Sequence, residues 1–344
     1  MSPNESRGLP GLAGIVVVTL AIGGAAVVAG LRYSAVEPGG SSDAASPTAP
    51  ANSGAERPRP PRPVSDVPEH ATEEYGRRLV AQTVELLGPD QPDPRRRYSG
   101  GRLNCASCHL ATGTDPGTLA LLQTAEHYPR FSGRAGNMTD VEDRINECMQ
   151  RSMNGTPLPL DSPEMIAIAA YLRSLGSRYE AMGASLKKAS EPPAFKTPKR
   201  AASIGAGLTV YVTRCSVCHG NDGLGLLATG EKAKGYLFPP LWGPDSFNNG
   251  AGMHRVLTAA RFIKARMPLG EATLTDDEAF DVAAYINAQP RPEMPNLEQD
   301  YPDKTAKPVD NPYGPFADEF PLEQHRVGPF QPIEDHYKAL KKTK

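Results

Sequence analysis

A mainly α fold in two tandem domains is predicted for this chain on three observations. The pentapeptide Cys-x-x-Cys-His occurs twice, at Cys105-Ala106-Ser107-Cys108-His109 and Cys215-Ser216-Val217-Cys218-His219. Each copy lies between two segments of helical apolar periodicity. Proline is common at 35 residues and there is one Trp, which suits small helical domains joined and wrapped by irregular chain.

Residues 1–33 are expected to form a signal-anchor, a transmembrane helix. No charged residue lies between Arg7 and Arg32, and Ile15-Val16-Val17-Val18-Thr19-Leu20-Ala21-Ile22 is strongly apolar. The run is longer than a usual signal-peptide core and long enough to span a bilayer. The small residues near Ala25-Ala26 could host a cleavage site instead, leaving a soluble exported protein. Residues 34–68 are rich in Pro, Ala and Ser and include Arg57-Pro58-Arg59-Pro60-Pro61-Arg62-Pro63. They cannot bury enough apolar surface to fold, and read as a disordered linker stiffened towards polyproline II. A tether makes more sense behind an anchor than behind a cleaved peptide.

The first domain is placed at 69–190. An amphipathic helix over 73–87 leads to the first motif. Thr139-Asp140-Val141-Glu142 is a capping box for a second helix reaching Asn154, with Gly155 as its stop. Ser162-Pro163-Glu164-Met165 opens a third, expected to end near Leu175 with Gly176 as its stop. The second domain, 198–292, repeats the plan. A helix over 201–214 runs into the motif, and Thr275-Asp276-Asp277-Glu278 caps a closing helix that ends before Pro290. The apolar positions, Tyr171 and Tyr285 among them, read as core. Residues 293–344 are a Pro-rich tail expected to wrap the second domain.

Cys-x-x-Cys-His is the attachment site for c-type haem, in which the thiols bond the porphyrin and the His ligates iron. A zinc ribbon needs its second pair about 15–20 residues on, and here the pairs are far apart. A thioredoxin-like site would want a βαβ setting. Cys105, Cys108, Cys215 and Cys218 are therefore expected to hold two covalent haem c groups, with His109 and His219 on iron. Helix, motif, loop and closing helix make the plan of a class I cytochrome c domain. Such haem is attached outside the cytoplasm, which puts the chain on the periplasmic side of the cytoplasmic membrane. With 37 basic against 39 acidic residues, nothing points to nucleic acid.

A sixth ligand normally comes from the chain after the motif. In the second domain Met267, before Pro268, is well placed; Met253, Met294 and His254 are alternatives. The first domain has a helix there, carrying the fifth cysteine, Cys148. Arg144, Cys148, Arg151 and Ser152 fall at i, i+4, i+7 and i+8 and share a face. Guanidinium groups one turn either side of a thiol favour its thiolate, and the same face can hold an anion. Cys148 also reads as a small core residue, and Met149, Met153 and His127 compete as ligands.

At these residues the chain resembles the dihaem thiosulfate dehydrogenases, or tetrathionate synthases. The shared stretches are Gly101-Arg102-Leu103-Asn104-Cys105, Arg144-Ile145-Asn146-Glu147-Cys148 with Arg151-Ser152-Met153-Asn154-Gly155, Phe238-Pro239-Pro240-Leu241-Trp242-Gly243-Pro244 and Ala265-Arg266-Met267-Pro268. The resemblance implies oxidation of two thiosulfates to tetrathionate, or the reverse, with two electrons passing through two haems to a cytochrome or oxidase acceptor. It implies that Cys148 ligates the first haem opposite His109 and contacts substrate, that Arg134 and Ser152 hold the anion, and that Met267 ligates the second haem. Some relatives carry a ligand-exchanging Lys before that Met. Arg266 stands here, and a guanidinium stays protonated and cannot ligate. Two rival readings share the haem motifs: a tethered electron-transfer cytochrome without substrate chemistry, and a sulfur-carrier subunit. The first leaves Cys148 and its Arg-bearing face unexplained; the second, which needs a partner protein, is separated by whether the isolated protein turns over thiosulfate.

Overall fold

The computed structural model describes residues 73–342 apart from 190 and 192; the anchor and linker expected within 1–68 lie outside the described residues. No described helix is long and apolar enough to cross a membrane.

The single helix expected over 73–87 is two, α1 (Glu73–Ala81) and α2 (Thr83–Leu87), because Gln82 leaves helical geometry at φ −126°, ψ 38°. The break turns Thr83 inward, where its hydroxyl donates to the Leu79 carbonyl at 2.7 Å and accepts from the Cys105 N–H at 3.0 Å. A hairpin absent from the sequence reading follows the first motif, with β1 (Arg130–Ser132) antiparallel to β2 (Asn137–Thr139) and Phe131 opposite Met138. Thr139 is thus a strand residue, and the cap of α3 (Val141–Arg151) moves one position on to Asp140. The Asp143 N–H donates to Asp140 Oδ1 at 2.9 Å, and the Asp140 N–H to Asp143 Oδ2 at 3.0 Å. The helix ends at Arg151, short of Asn154. At Gly155 a Cβ would sit 1.9 Å from the Tyr98 carbonyl oxygen, so the turn needs glycine.

Helix α4 (Pro163–Glu180) starts at the Ser162 cap but does not stop at Gly176. That glycine makes room for the Glu126 carboxylate instead of ending the helix. After α5 (Ala184–Ala189), the second motif is reached through α6 (Ile204–Val210), a π-helical turn over Tyr211–Cys215 and α7 (Ser216–His219). A small hairpin, β3 (Leu226–Leu227) with β4 (Tyr236–Phe238), precedes α8 (Val256–Arg266) and α9 (Asp276–Asn287). The Thr275/Glu278 capping box forms as expected, and α9 ends before Pro290. The tail adds α10 (Leu322–Val327) and α11 (Gln331–Lys342).

Each domain is built on one close helix crossing. A Cβ on Gly76 of α1 would lie 2.0 Å from the Ala167 carbonyl oxygen and 2.8 Å from Tyr171 Cβ on α4. One on Gly207 of α6 would lie 2.1 Å from the Asp281 carbonyl oxygen and 2.8 Å from Tyr285 Cβ on α9. Around the first crossing Leu79, Leu87, Met149, Met165, Tyr171 and Leu175 form one core; around the second, Tyr211, Leu274, Phe280, Val282 and Ala283 form another. Tyr171 is buried, and Tyr285 is half-buried against Tyr211 and Trp242. Phe330, Ile333 and Tyr337 of the tail complete the second core. The described domains belong to one compact unit. Arg102 joins Asp90 and Asp245 across them, at 2.7 and 2.5 Å.

Candidate functional site

Both motif histidines are held alike. His109 Nδ1 lies 2.7 Å from the Leu119 carbonyl oxygen, and His219 Nδ1 lies 2.8 Å from that of Pro239. Nδ1 therefore carries the proton, and the Nε2 lone pair is left for a metal. Burial lowers the pKa of both rings and keeps them neutral, as ligation needs. The surroundings agree. Cys105 sits against Thr83, and Phe238 of β4 meets the His219 ring edge-on with 6.5 Å between centroids. Burial also pushes the Cys105 and Cys215 thiols up to about 11 and Cys108 up to about 12. These donor sets fit two covalently bound haem c groups.

A cavity of about 650 Å³ opens beside the first motif. Cys105, Cys108 and His109 line it from one element; Arg144, Cys148, Arg151 and Ser152 line it from α3 and its cap. Cys148 is half-buried there. Its sulfur is the leading influence that raises the Arg144 pKa, against burial, with Glu147 at 3.3 Å adding to it. Arg134, just after β1, also faces the cavity. Burial opposes its charge, but Tyr301, Glu147 and Tyr313 outweigh it and hold its pKa above the usual value.

Arg151 behaves differently from its expected place flanking the thiol. Its guanidinium donates to Asp300 Oδ1 at 2.7 Å and to the Gly250 carbonyl at 3.1 Å, so it fastens α3 to the second domain and the tail. Ser152 caps α3 and contributes to the wall. Met149 and Met153 are buried wall residues, whereas His127 turns to the Gln123 carbonyl outside the cavity lining.

In the second domain Met267 caps α8 and packs against the core. Arg266 reaches into the first domain, where it pairs with Asp115 at 2.9 Å and donates to the Pro116 carbonyl. The alternatives lie elsewhere. Both nitrogens of His254 face carbonyls, of Asn249 at 2.8 Å and Asn287 at 3.2 Å. Burial, helped by Arg291, holds its pKa down to about 4. Met253 touches both cores and lines the first cavity, and the Met294 backbone is tied to Asn249. Sequence reasoning missed Arg130, Met253 and Tyr301 of the cavity wall. Arg130 and its hairpin carry no motif, and the other two arrive from distant chain.

Residues 99–182 match the family described as SoxA/TsdA, cytochrome c domain, and residues 202–286 match that described as Cytochrome C oxidase, cbb3-type, subunit III. The thiosulfate dehydrogenase of Stutzerimonas stutzeri is 39% identical over 241 residues, 70% of this chain and 75% of that protein. That of Allochromatium vinosum is 40% identical over 63% of this chain and 77% of its own length. Among solved structures, a thiosulfate dehydrogenase (TsdBA) from Marichromatium purpuratum aligns with a TM-score of 0.57 at 34% identity. That alignment covers 69% of this chain and half of the other.

Proposed function

This chain belongs to the thiosulfate dehydrogenase family of dihaem cytochromes c, and from that premise we propose that it couples two thiosulfates to tetrathionate at Cys148. The observation that carries the reading is that Cys148 and His109 line one cavity whose wall also holds Arg130, Arg134 and Arg144. Two dianions must meet there, and fixed cationic groups in a sheltered site offset their repulsion without reorganising.

His109 and Cys148 would hold the first haem, and His219 and Met267 the second. When bound, the haems accept the two electrons that the reaction releases and pass them to a cytochrome or oxidase. The Cys148 thiolate bonds the sulfane sulfur of one thiosulfate, giving Cys–S–S–SO₃⁻ and two electrons. A second thiosulfate attacks that sulfane sulfur, and tetrathionate leaves as the Cys148 thiolate is restored. No proton is consumed in either step. Arg144, on the same cavity wall, offsets the negative charge gathered there in both steps. Arg134 and Ser152 orient the oxyanion groups. The same path run backwards reduces tetrathionate.

The expected setting is the periplasmic side of the cytoplasmic membrane, with residues 8–31 as an uncleaved anchor. The uncharged run and the Pro-rich chain behind it support this. N-terminal sequencing of the exported protein should begin at Met1 or Ser2; a terminus near residue 30 would mean a cleaved signal peptide. For the reaction, holoprotein mixed with thiosulfate and an artificial acceptor should show haem reduction and form one tetrathionate per two thiosulfates. Haem reduction by a partner cytochrome but never by thiosulfate would make the chain an electron shuttle.

A further inference from the structure

Residues 297–313 carry no motif, yet they close the cavity behind Arg134. The Tyr301 N–H donates to the Arg134 carbonyl at 2.8 Å, and the Arg134 guanidinium carbon lies 5.8 Å from the centroid of the Tyr301 ring. Asp300 anchors this strap, accepting from Arg151 and from the Tyr313 hydroxyl, both at 2.7 Å. Tyr301 is buried, lines the cavity and adopts φ +55°. A bulky side chain seldom takes that backbone conformation; it persists only where surroundings over-determine it, and such residues cluster at ligand sites. Arg134 itself is not locked in a tight ion pair. Its nearest carboxylates, Glu147 and Asp300, stand at 3.9 and 4.0 Å, and its buried Nε has no hydrogen-bond partner among the described residues. Tyr301, through its ring face and a hydrogen bond from the guanidinium to its hydroxyl, is thus a main influence on where this guanidinium points.

We propose that Tyr301, delivered by the C-terminal strap, is a positioning residue that aims Arg134 at an oxyanion in the cavity, the sulfonate group of thiosulfate. The inference rests on the thiosulfate reading given above. A flat ring face against a guanidinium restricts its rotation and stabilises its charge, while the N–H donors on its rim stay available to the anion. The strap makes the first domain's site depend on chain from beyond the second domain.

The test compares holoprotein variants by turnover and by calorimetric titration with thiosulfate. Tyr301→Leu should raise KM and Kd about fivefold with kcat within about twofold, and Tyr301→Phe, which keeps the ring face but not the hydroxyl contact, should recover part of the loss. Placed on Arg134→Gln, Tyr301→Leu should add almost nothing, because it acts through the missing guanidinium. An unchanged Kd in Tyr301→Leu, or full additivity with Arg134→Gln, overturns the proposal. So does an Arg134→Gln protein that binds and oxidises thiosulfate normally, an outcome that leaves the proposed function intact. A parent protein that neither binds nor oxidises thiosulfate overturns both.

Discussion

The two haem domains share a scaffold and differ in the segment between the motif and the closing helix. Gly76 against Tyr171 and Gly207 against Tyr285 make the same helix crossing, and His109 and His219 give Nδ1 to a backbone carbonyl in the same way. After the first motif come a hairpin and α3, which place Cys148 and cationic side chains on a cavity wall. After the second come another small hairpin, α8 and Met267, which packs against the core. On the proposed reading one scaffold supports two tasks, and the task is set by the segment between motif and closing helix. On that reading a cysteine sulfur beside a cationic wall suits sulfur chemistry, and a half-buried thioether raises a haem potential and suits onward transfer.

The largest effect expected from breaking that contrast falls on Cys148. Cys148→Ala should keep both covalent haems, change the first-haem spectrum and lower kcat on the order of 10³-fold or more, because in the proposed reaction Cys148 supplies the sulfur nucleophile. Met267→Ala should instead abolish the thioether–iron absorption band and lower the second potential while substrate binding persists. A Cys148→Ala protein with full turnover would erase the functional distinction between the domains. If the band survives in Met267→Ala, the thioether ligand is another methionine.

The shared half of the comparison is tested by Gly76→Ala and Gly207→Ala. Each added methyl would meet a carbonyl oxygen at 2.0 or 2.1 Å, so the helices must separate. Both should destabilise by about 3 kcal/mol or more in denaturant titrations, well beyond the ~1 kcal/mol that alanine gains in helix propensity. A tolerated change at one site only would show that the two crossings are not equivalent.

Much of this scaffold could be read in the sequence. The motifs, the Ser162 and Thr275 caps and the end of α9 before Pro290 are local patterns, and local patterns survive folding. Gly155 and Gly176 misled in different ways: both looked like helix stops, but one answers the Tyr98 carbonyl and the other the Glu126 carboxylate. Thr139 read as the start of the α3 capping box, but it pairs with Arg130 in the hairpin and the cap falls to Asp140. Of the site, Cys148 and Arg144 were legible from helical spacing. Arg151 shared that spacing, but its partners Gly250 and Asp300 lie far along the chain, and no periodicity reports them. Tyr301 was invisible for the same reason.

His254 gives the second domain an acid sensitivity of its own. Its folded pKa of about 4 lies below the ordinary value of 6.5. Between those values the unfolded chain takes up a proton that the folded one refuses, so stability falls as pH drops through that window. The loss should be about 2 kcal/mol at pH 5 relative to pH 7. A neutral ring also cannot donate to both carbonyls that face it. His254→Gln should therefore flatten the acid limb of a Tm-against-pH curve; an unchanged limb would place the acid sensitivity elsewhere.

The smallest effect concerns Arg266, by which the end of α8 grips the first domain. Arg266 stands next to Met267 and pairs with Asp115 at 2.9 Å, with the Asp115 side chain about a third exposed. Such a pair is screened by solvent, so Asp115→Asn should cost about 1 kcal/mol or less of stability. Its value lies in what it leaves alone. If Arg266 only fastens the domains, the thioether band and the second potential should stay as in the parent, since Met267 is seated by α8 and its core. Arg266→Lys is the sharper arm, because a lysine there would have a deprotonatable nitrogen one residue from the proposed iron ligand. Loss of the thioether band on oxidation in Arg266→Lys, but not in Asp115→Asn, would show that arginine here keeps the second haem on a single ligand. A lost band in Asp115→Asn would instead make the interdomain pair part of the ligand's support.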